Sequence, residues 1–184
     1  MGNRLSKIYT RTGDDGTTGM GDGSRIAKSS ALIELIGTLD ECNALLGIAA
    51  SYCSAAGYQF ETEMITQVQH RMFNAGGELS VPGMQLILEE DVSWVEASID
   101  SINEHLPPLK EFILPGGNLS ASATHVVRTV VRRAERQAVG LSYEMEISSC
   151  LIRWLNRLSD LLFVLARSLA RKDGGEVLWQ NPTR

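Results

Sequence analysis

The chain has 184 residues, 43% of them hydrophobic and 21% charged, a globular balance with enough length to bury a core without metal or disulfide staples. A formal net charge of −5 argues against a general nucleic-acid binder, whose phosphate contacts need excess Lys and Arg. Cys42, Cys53 and Cys150 form no CxxC pair, which argues against structural zinc and a disulfide framework and for a reducing, cytoplasmic setting.

Residues 1–28 read as a structured loop. No apolar run follows Arg4 and Lys7, so no signal peptide is expected. Thr10 to Gly19 is rich in Gly, Thr and Asp and breaks both periodicities, which favours turns. The first helix is expected over 30–51, with Leu32, Leu35, Leu39, Leu46 and Ala49 at helical spacing. A second is expected over 60–80 on Met64, Val68, Met72 and Leu79, weakened by Gly76 and Gly77. A third starts at Asp91 as N-cap, carries Val95, Ile99, Ile102 and Leu106, and stops at Pro107-Pro108.

A non-helical run, Phe112 to Gly117, leads into a fourth helix from Asn118 to about Val139, before Gly140. The fifth is expected from Ser142 to Lys172, before Gly174-Gly175. Strand signals are weak, and no stretch is long and apolar enough for a membrane span. The expected architecture is all-α: a nucleotide-binding loop over 1–28, a five-helix bundle over 29–175 and a tail over 176–184, forming one domain.

The fourth helix carries the strongest chemical signal. Arg128, Arg132, Glu135 and Arg136 lie three or four residues apart and share a face, while Val126, Val127, Val130, Val131 and Ala134 fill much of the rest. Arginines on such a helix need carboxylates, water or an anion. One reading is a polyphosphate site, because the guanidinium fork suits phosphate oxygens, with Glu135 orienting an arginine or holding magnesium. The other is a set of structural ion pairs, such as Arg132 with Glu135.

Arg153, Asn156, Arg157, Asp160 and Arg167 repeat the pattern on the fifth helix, opposite a leucine stripe at 151, 155, 158, 162, 165 and 169. Asn156 suits a nucleotide contact; a solvated polar face is the plainer alternative. The N-terminal glycines can converge backbone N–H groups on an anion, with Lys28 adding charge, but no P-loop string occurs, and taken alone the segment reads first as a plain flexible arm. Asp40 flanks the apolar stripe of the first helix, where an inward carboxylate would want a partner such as Arg128. His125 shares the Arg128 face. No nucleophile-elbow string is present.

Five segments together resemble the PduO-type ATP:cob(I)alamin adenosyltransferase family: TRTGDDGTTG at 10–19, GTLDECNALLG at 37–47, FILPGG at 112–117, RTVVRRAERQ at 128–137 and LNRLSDLLFVLAR at 155–167. The resemblance implies a homotrimer of five-helix bundles with active sites between subunits. It implies transfer of the 5′-deoxyadenosyl group of ATP to Co(I) of cobalamin, with magnesium, giving adenosylcobalamin and triphosphate, and a reductase as a partner. ATP contacts are implied from Thr10, Arg11, Thr12, Gly13, Thr18, Gly19 and Lys28 and from Arg132, Arg133, Glu135, Arg136 and Asn156, with Glu135 associated with magnesium. Asp40 and Arg128 resemble the pair supporting the corrin side. Phe112 resembles the aromatic residue under the corrin, and Phe163 lines the same pocket. Asp15, where a lysine is common, and Cys42, where leucine is usual, depart from the pattern. Two alternatives use the same residues: a helical-bundle phosphotransferase, which would release ADP, and a non-catalytic carrier of ATP or cobalamin.

Overall fold

The computed structural model describes residues 8–180 and residue 182; the segment bearing Arg4 and Lys7 and the chain's last two residues lie outside it. Five helices carry the described chain: α1 Ala31–Ala55, α2 Gln59–Ser80, α3 Glu89–Asn103, α4 Leu119–Leu141 and α5 Ser149–Lys172. A two-stranded antiparallel ribbon, β1 Thr17–Gly19 and β2 Arg25–Ala27, precedes them, with Thr18 opposite Ile26. The helices pack in the order α2, α1, α4, α5, α3.

The apolar stripes account for this order. All five apolar residues picked out on α1 are buried, as are the four on α2 and the six leucines on α5. Trp154, outside the leucine stripe, is fully buried as well. On α4, Val127, Val130, Val131 and Ala134 face inward, whereas Val126 is about half exposed. Each large side chain removed from water in this way contributes roughly 1.5–3 kcal/mol.

Element ends differ from expectation in instructive ways. α1 runs four residues beyond 51, to Ala55. α2, by contrast, matches its expected span and continues through Gly76 and Gly77; the Glu78 carboxylate accepts from the Leu86 and Ile87 amides and holds the following turn against the helix. Asp91 is not the N-cap of α3. It lies three residues inside, where it accepts from the Leu88 amide at 3.0 Å, the far half of a capping box. α5 does not open at Ser142, which ends α4. Its cap is Ser148, which accepts from the Leu151 amide just where the leucine stripe begins.

The α4–α5 contact is set at one end by Gly117. Its φ is 104°, and a Cβ there would lie 2.9 Å from the Cβ of Ala170. Next to it, the Asn118 amide donates to the Leu169 carbonyl at 2.7 Å while its oxygen caps α4. The described part of the tail is docked on the bundle: Ile113 and Leu178 form a β-bridge.

Candidate functional site

The N-terminal loop is held by a repeated turn, Asp-Gly-Thr at 15–17 and Asp-Gly-Ser at 22–24. Each aspartate accepts from the amide and the hydroxyl two residues on, at 2.6–2.9 Å. Gly16 and Gly23 between them have φ of 84° and 86°, a region that L side chains resist. The two aspartates are held below the usual carboxylate range, chiefly by these side-chain hydrogen bonds. Asp15, a departure from the family pattern, thus builds the turn.

Arg25 closes the ribbon, donating to the Thr17 hydroxyl and to the Thr12 carbonyl. Spacing alone did not single out Arg25; it reaches Thr12 and Thr17 only because the ribbon folds back. Lys28 donates to the Gly13 carbonyl at 2.7 Å. Thr10 and Thr12 share a hydrogen bond, and Arg11 lies over Tyr9 with a φ of 61°. The loop is pinned to α2 by the Gly21 amide, which donates to the Ser80 carbonyl at 2.8 Å.

This docking leaves a cavity of about 600 Å³ between the ribbon and helices α1 and α2. Thr18, Gly19 and Lys28 line it from the loop, Gly37, Asp40 and Asn43 from α1, and Met72 and Phe73 from α2. No α4 or α5 residue lines it.

The second cluster lies between α4 and α5. Asn156 donates to the Glu135 carboxylate at 2.7 Å, and Arg157 to the oxygen of Asn156. Arg136 donates to the Arg132 carbonyl at 3.0 Å. Among the described residues, no carboxylate lies within ion-pair distance of Arg128, Arg132 or Arg136. Other arginines do have partners: Arg133 pairs with Glu41, Arg153 with Glu89, Arg157 with Glu96, and Arg167 with Glu176. Arg133 therefore faces α1, away from its neighbours Arg132 and Arg136. Arg167, unlike Asp160, is not solvated: it is 3% exposed, covered by Glu176 and the Pro107 carbonyl.

Electrostatics mark the cluster as unfinished. Arg128 is half-buried, and its Nε has no partner among the described residues; burial, then repulsion from Arg132, lowers its pKa. His125 packs beside it with Nδ1 unpaired among the described residues, and burial, then Arg128, pushes its pKa down to about 4. Burial raises the Asp160 carboxyl against the pull of Arg157 and Arg132. Phe163 completes the wall, 6.4 Å from His125 and 6.0 Å from the Arg128 guanidinium. Buried donors without acceptors and cations without anions are what a site for a polyanionic ligand requires.

Phe112 stands apart. It is 77% exposed, and its ring meets Trp179 edge-on at 6.1 Å. Asp40 forms no ion pair with Arg128 within the chain. The structure thus brings together two groups, loop with α1 and α2, and α4 with α5, and joins neither Asp40 to Arg128 nor Lys28 to Arg132. Among the described residues, no three His, Cys, Asp or Glu side chains could together hold a metal.

The sequence model of the "Cobalamin adenosyltransferase" family matches residues 8–169. A cobalamin adenosyltransferase of Cupriavidus metallidurans is 48% identical over 98% of this chain and 97% of its own. A corrinoid adenosyltransferase of Bacillus subtilis is 41% identical over 95% and 92%. A variant of the PduO-type ATP:corrinoid adenosyltransferase from Lactobacillus reuteri, solved with cobalamin and ATP, superposes with a TM-score of 0.89 at 33% identity, covering 95% of this chain and 100% of that one.

Proposed function

The chain belongs to the cobalamin adenosyltransferase family, and we propose that it works as a closed trimer in the cytoplasm, joining the loop of one subunit to the arginine face of the next. It is a corrinoid adenosyltransferase that uses ATP and cobalamin as substrates. The observation that carries the assembly is the division of the site. The loop cavity contains no α4 or α5 residue, while Arg128, Arg132 and Arg136 have no carboxylate within ion-pair distance among the described residues. Exposed Ile48, Tyr52, Phe73 and Val126 supply apolar surface for the contact, and closed symmetry lets each subunit give one half and receive the other.

In this reading Thr10, Arg11, Thr12, Gly13, Thr18, Gly19 and Lys28 enclose ATP from the loop side. Arg132, Arg136 and Asn156 meet it from the helix side. Arg133 contributes only by exchanging its Glu41 partner. Cob(I)alamin attacks C5′ of ATP with the electron pair of its cobalt, which forms the Co–C bond as the C5′–O5′ bond breaks, and triphosphate departs with the pair of that broken bond. The protein needs no nucleophile of its own, and the sequence carries no nucleophile-elbow string. Its work is to align the two substrates and to meet the negative charge gathering on the leaving group with Lys28, Arg132 and Arg136.

One carboxylate, Glu135, fits a magnesium ion held mainly by phosphate oxygens and water: Asn156 occupies one of its oxygens and orients the group. When bound, magnesium would neutralise triphosphate charge. Asp40 reaches Arg128 only across a subunit boundary, where the pair would support the corrin side. Phe112 under the ring would exclude water and the lower axial base, easing reduction of Co(II) to Co(I) by a partner reductase, with Phe163 along the same pocket.

An anaerobic assay with cob(I)alamin, ATP and magnesium, read by the absorbance change on Co–C bond formation, tests the activity. Release of triphosphate is expected. Release of ADP would identify a phosphotransferase, and binding without Co–C formation a carrier. Sedimentation at assay concentration tests the trimer; activity from a monomer would overturn the shared site.

A further inference from the structure

The segment from Pro107 to Gly117 contains no helix or regular strand, yet it must present Phe112, a ring with 77% of its surface exposed. Its far end is fixed by Gly117 against Ala170 and by Asn118 on Leu169. The near end and the middle depend on the tail.

Three features bring the tail there. Gly174 and Gly175 have φ of 85° and 91°, so the chain reverses directly after α5. Glu176 then turns inward with its side chain 8% exposed and receives Arg167 on one oxygen at 2.6 Å and Arg171 on the other at 3.1 Å. Arg167 also donates to the Pro107 carbonyl at 2.9 Å, so one buried guanidinium holds both the tail and the start of the Phe112 segment. Beyond Glu176 the backbone pairs with that segment: the Leu114 amide donates to the Val177 carbonyl and the Trp179 amide to the Phe112 carbonyl, both at 2.8 Å. The last of these bonds fixes the Phe112 backbone itself, and Trp179 is the neighbouring ring.

We propose that Glu176 is a positioning residue for the corrin side of the site: through Arg167 it seats the tail as a short strand that sets the height and direction of Phe112. The proposal rests on the reading of Phe112 given above. A buried carboxylate held by two arginines fixes position firmly, because leaving either charge unpaired is unfavourable. Glu176 lies outside the residues assigned above to ATP, and both its oxygens are taken by Arg167 and Arg171, so its effect should pass through the corrin side alone.

The test compares Glu176→Gln and Glu176→Asp with the wild-type chain. For Glu176→Gln the corrinoid KM should rise about tenfold while the ATP KM stays within about twofold. The five-coordinate fraction of cob(II)alamin bound in the presence of ATP should increase, and Glu176→Asp should recover part of both losses. Unchanged corrinoid KM and spectrum in folded Glu176→Gln would overturn the proposal, as would equal losses for ATP and corrinoid. If Glu176→Gln does not fold, Trp179→Pro and Trp179→Ala decide the matter, because both remove the ring and only proline removes the amide bond to Phe112. A worse corrinoid KM for the proline variant supports the strand; equal values overturn it. Wild-type turnover in the same assay separates the two readings, since its absence would remove the activity itself and not the clamp alone.

Discussion

Arg132→Ala separates a catalytic cation from a structural one. Arg132 has no carboxylate within ion-pair distance among the described residues, and the bond it accepts from Arg136 uses its backbone carbonyl, which alanine keeps. Its removal leaves no buried acid orphaned and relieves part of the repulsion that lowers the pKa of Arg128. The Asp160 carboxyl loses one of its two opposing cations and rises further. The net effect on folding should lie within about 0.5 kcal/mol, as for most surface substitutions. Catalysis should respond differently. If the guanidinium meets charge that develops on the departing triphosphate, its loss should cost roughly 3–4 kcal/mol of barrier, a 10²- to 10³-fold fall in kcat. The anaerobic adenosylation assay at saturating ATP and magnesium reads this directly, with urea melts run in parallel. A kcat within about threefold of wild type, with only KM raised, would mean uniform ATP binding and would refute the transition-state role.

Phe112→Ala should enlarge the five-coordinate fraction of bound cob(II)alamin; an unchanged spectrum with ATP present would count against displacement of the lower ligand. Asp40→Asn should weaken corrinoid binding more than ATP binding by titration calorimetry, and equal losses would point to the fold instead. His125 makes the folded state pH-dependent. Its pKa is pushed down to about 4 by burial and by Arg128, below the unfolded value of about 6.5. The unfolded chain therefore gains a proton first. Stability is fully present above pH ~6.5 and falls as pH drops toward ~4, by up to about 3 kcal/mol. Urea melts at pH 7 and pH 5 should show a smaller difference for His125→Gln than for wild type.

Some of this protein is legible without coordinates. Periodicity at 3.6 residues identified five helices and their buried stripes, because burying an apolar face is a local property of a helix that any bundle must satisfy. The same spacing placed Arg128, Arg132, Glu135 and Arg136 on one face, and the expected start of the fourth helix near Asn118 is the residue that caps α4. Where competing caps occurred, locality misled. Asp91 and Ser142 are both plausible starts, and only the onset of packing selects Leu88 and Ser148.

Pairing across the chain is another matter. Which arginines are neutralised depends on which acid each helix brings within reach: Glu41 takes Arg133, Glu96 takes Arg157 and Glu176 takes Arg167, each from a different segment. The neighbours Arg132 and Arg133 are chemically equivalent in the sequence and separate only when α1 packs on one side of α4. The tail carried no periodic signal, and its place beside Phe112 follows from two glycine turns and one buried carboxylate. A sequence thus encodes helix faces through short-range repetition, whereas charge partners such as Glu41 and Arg133, 92 residues apart, are chosen by the packing of the whole chain.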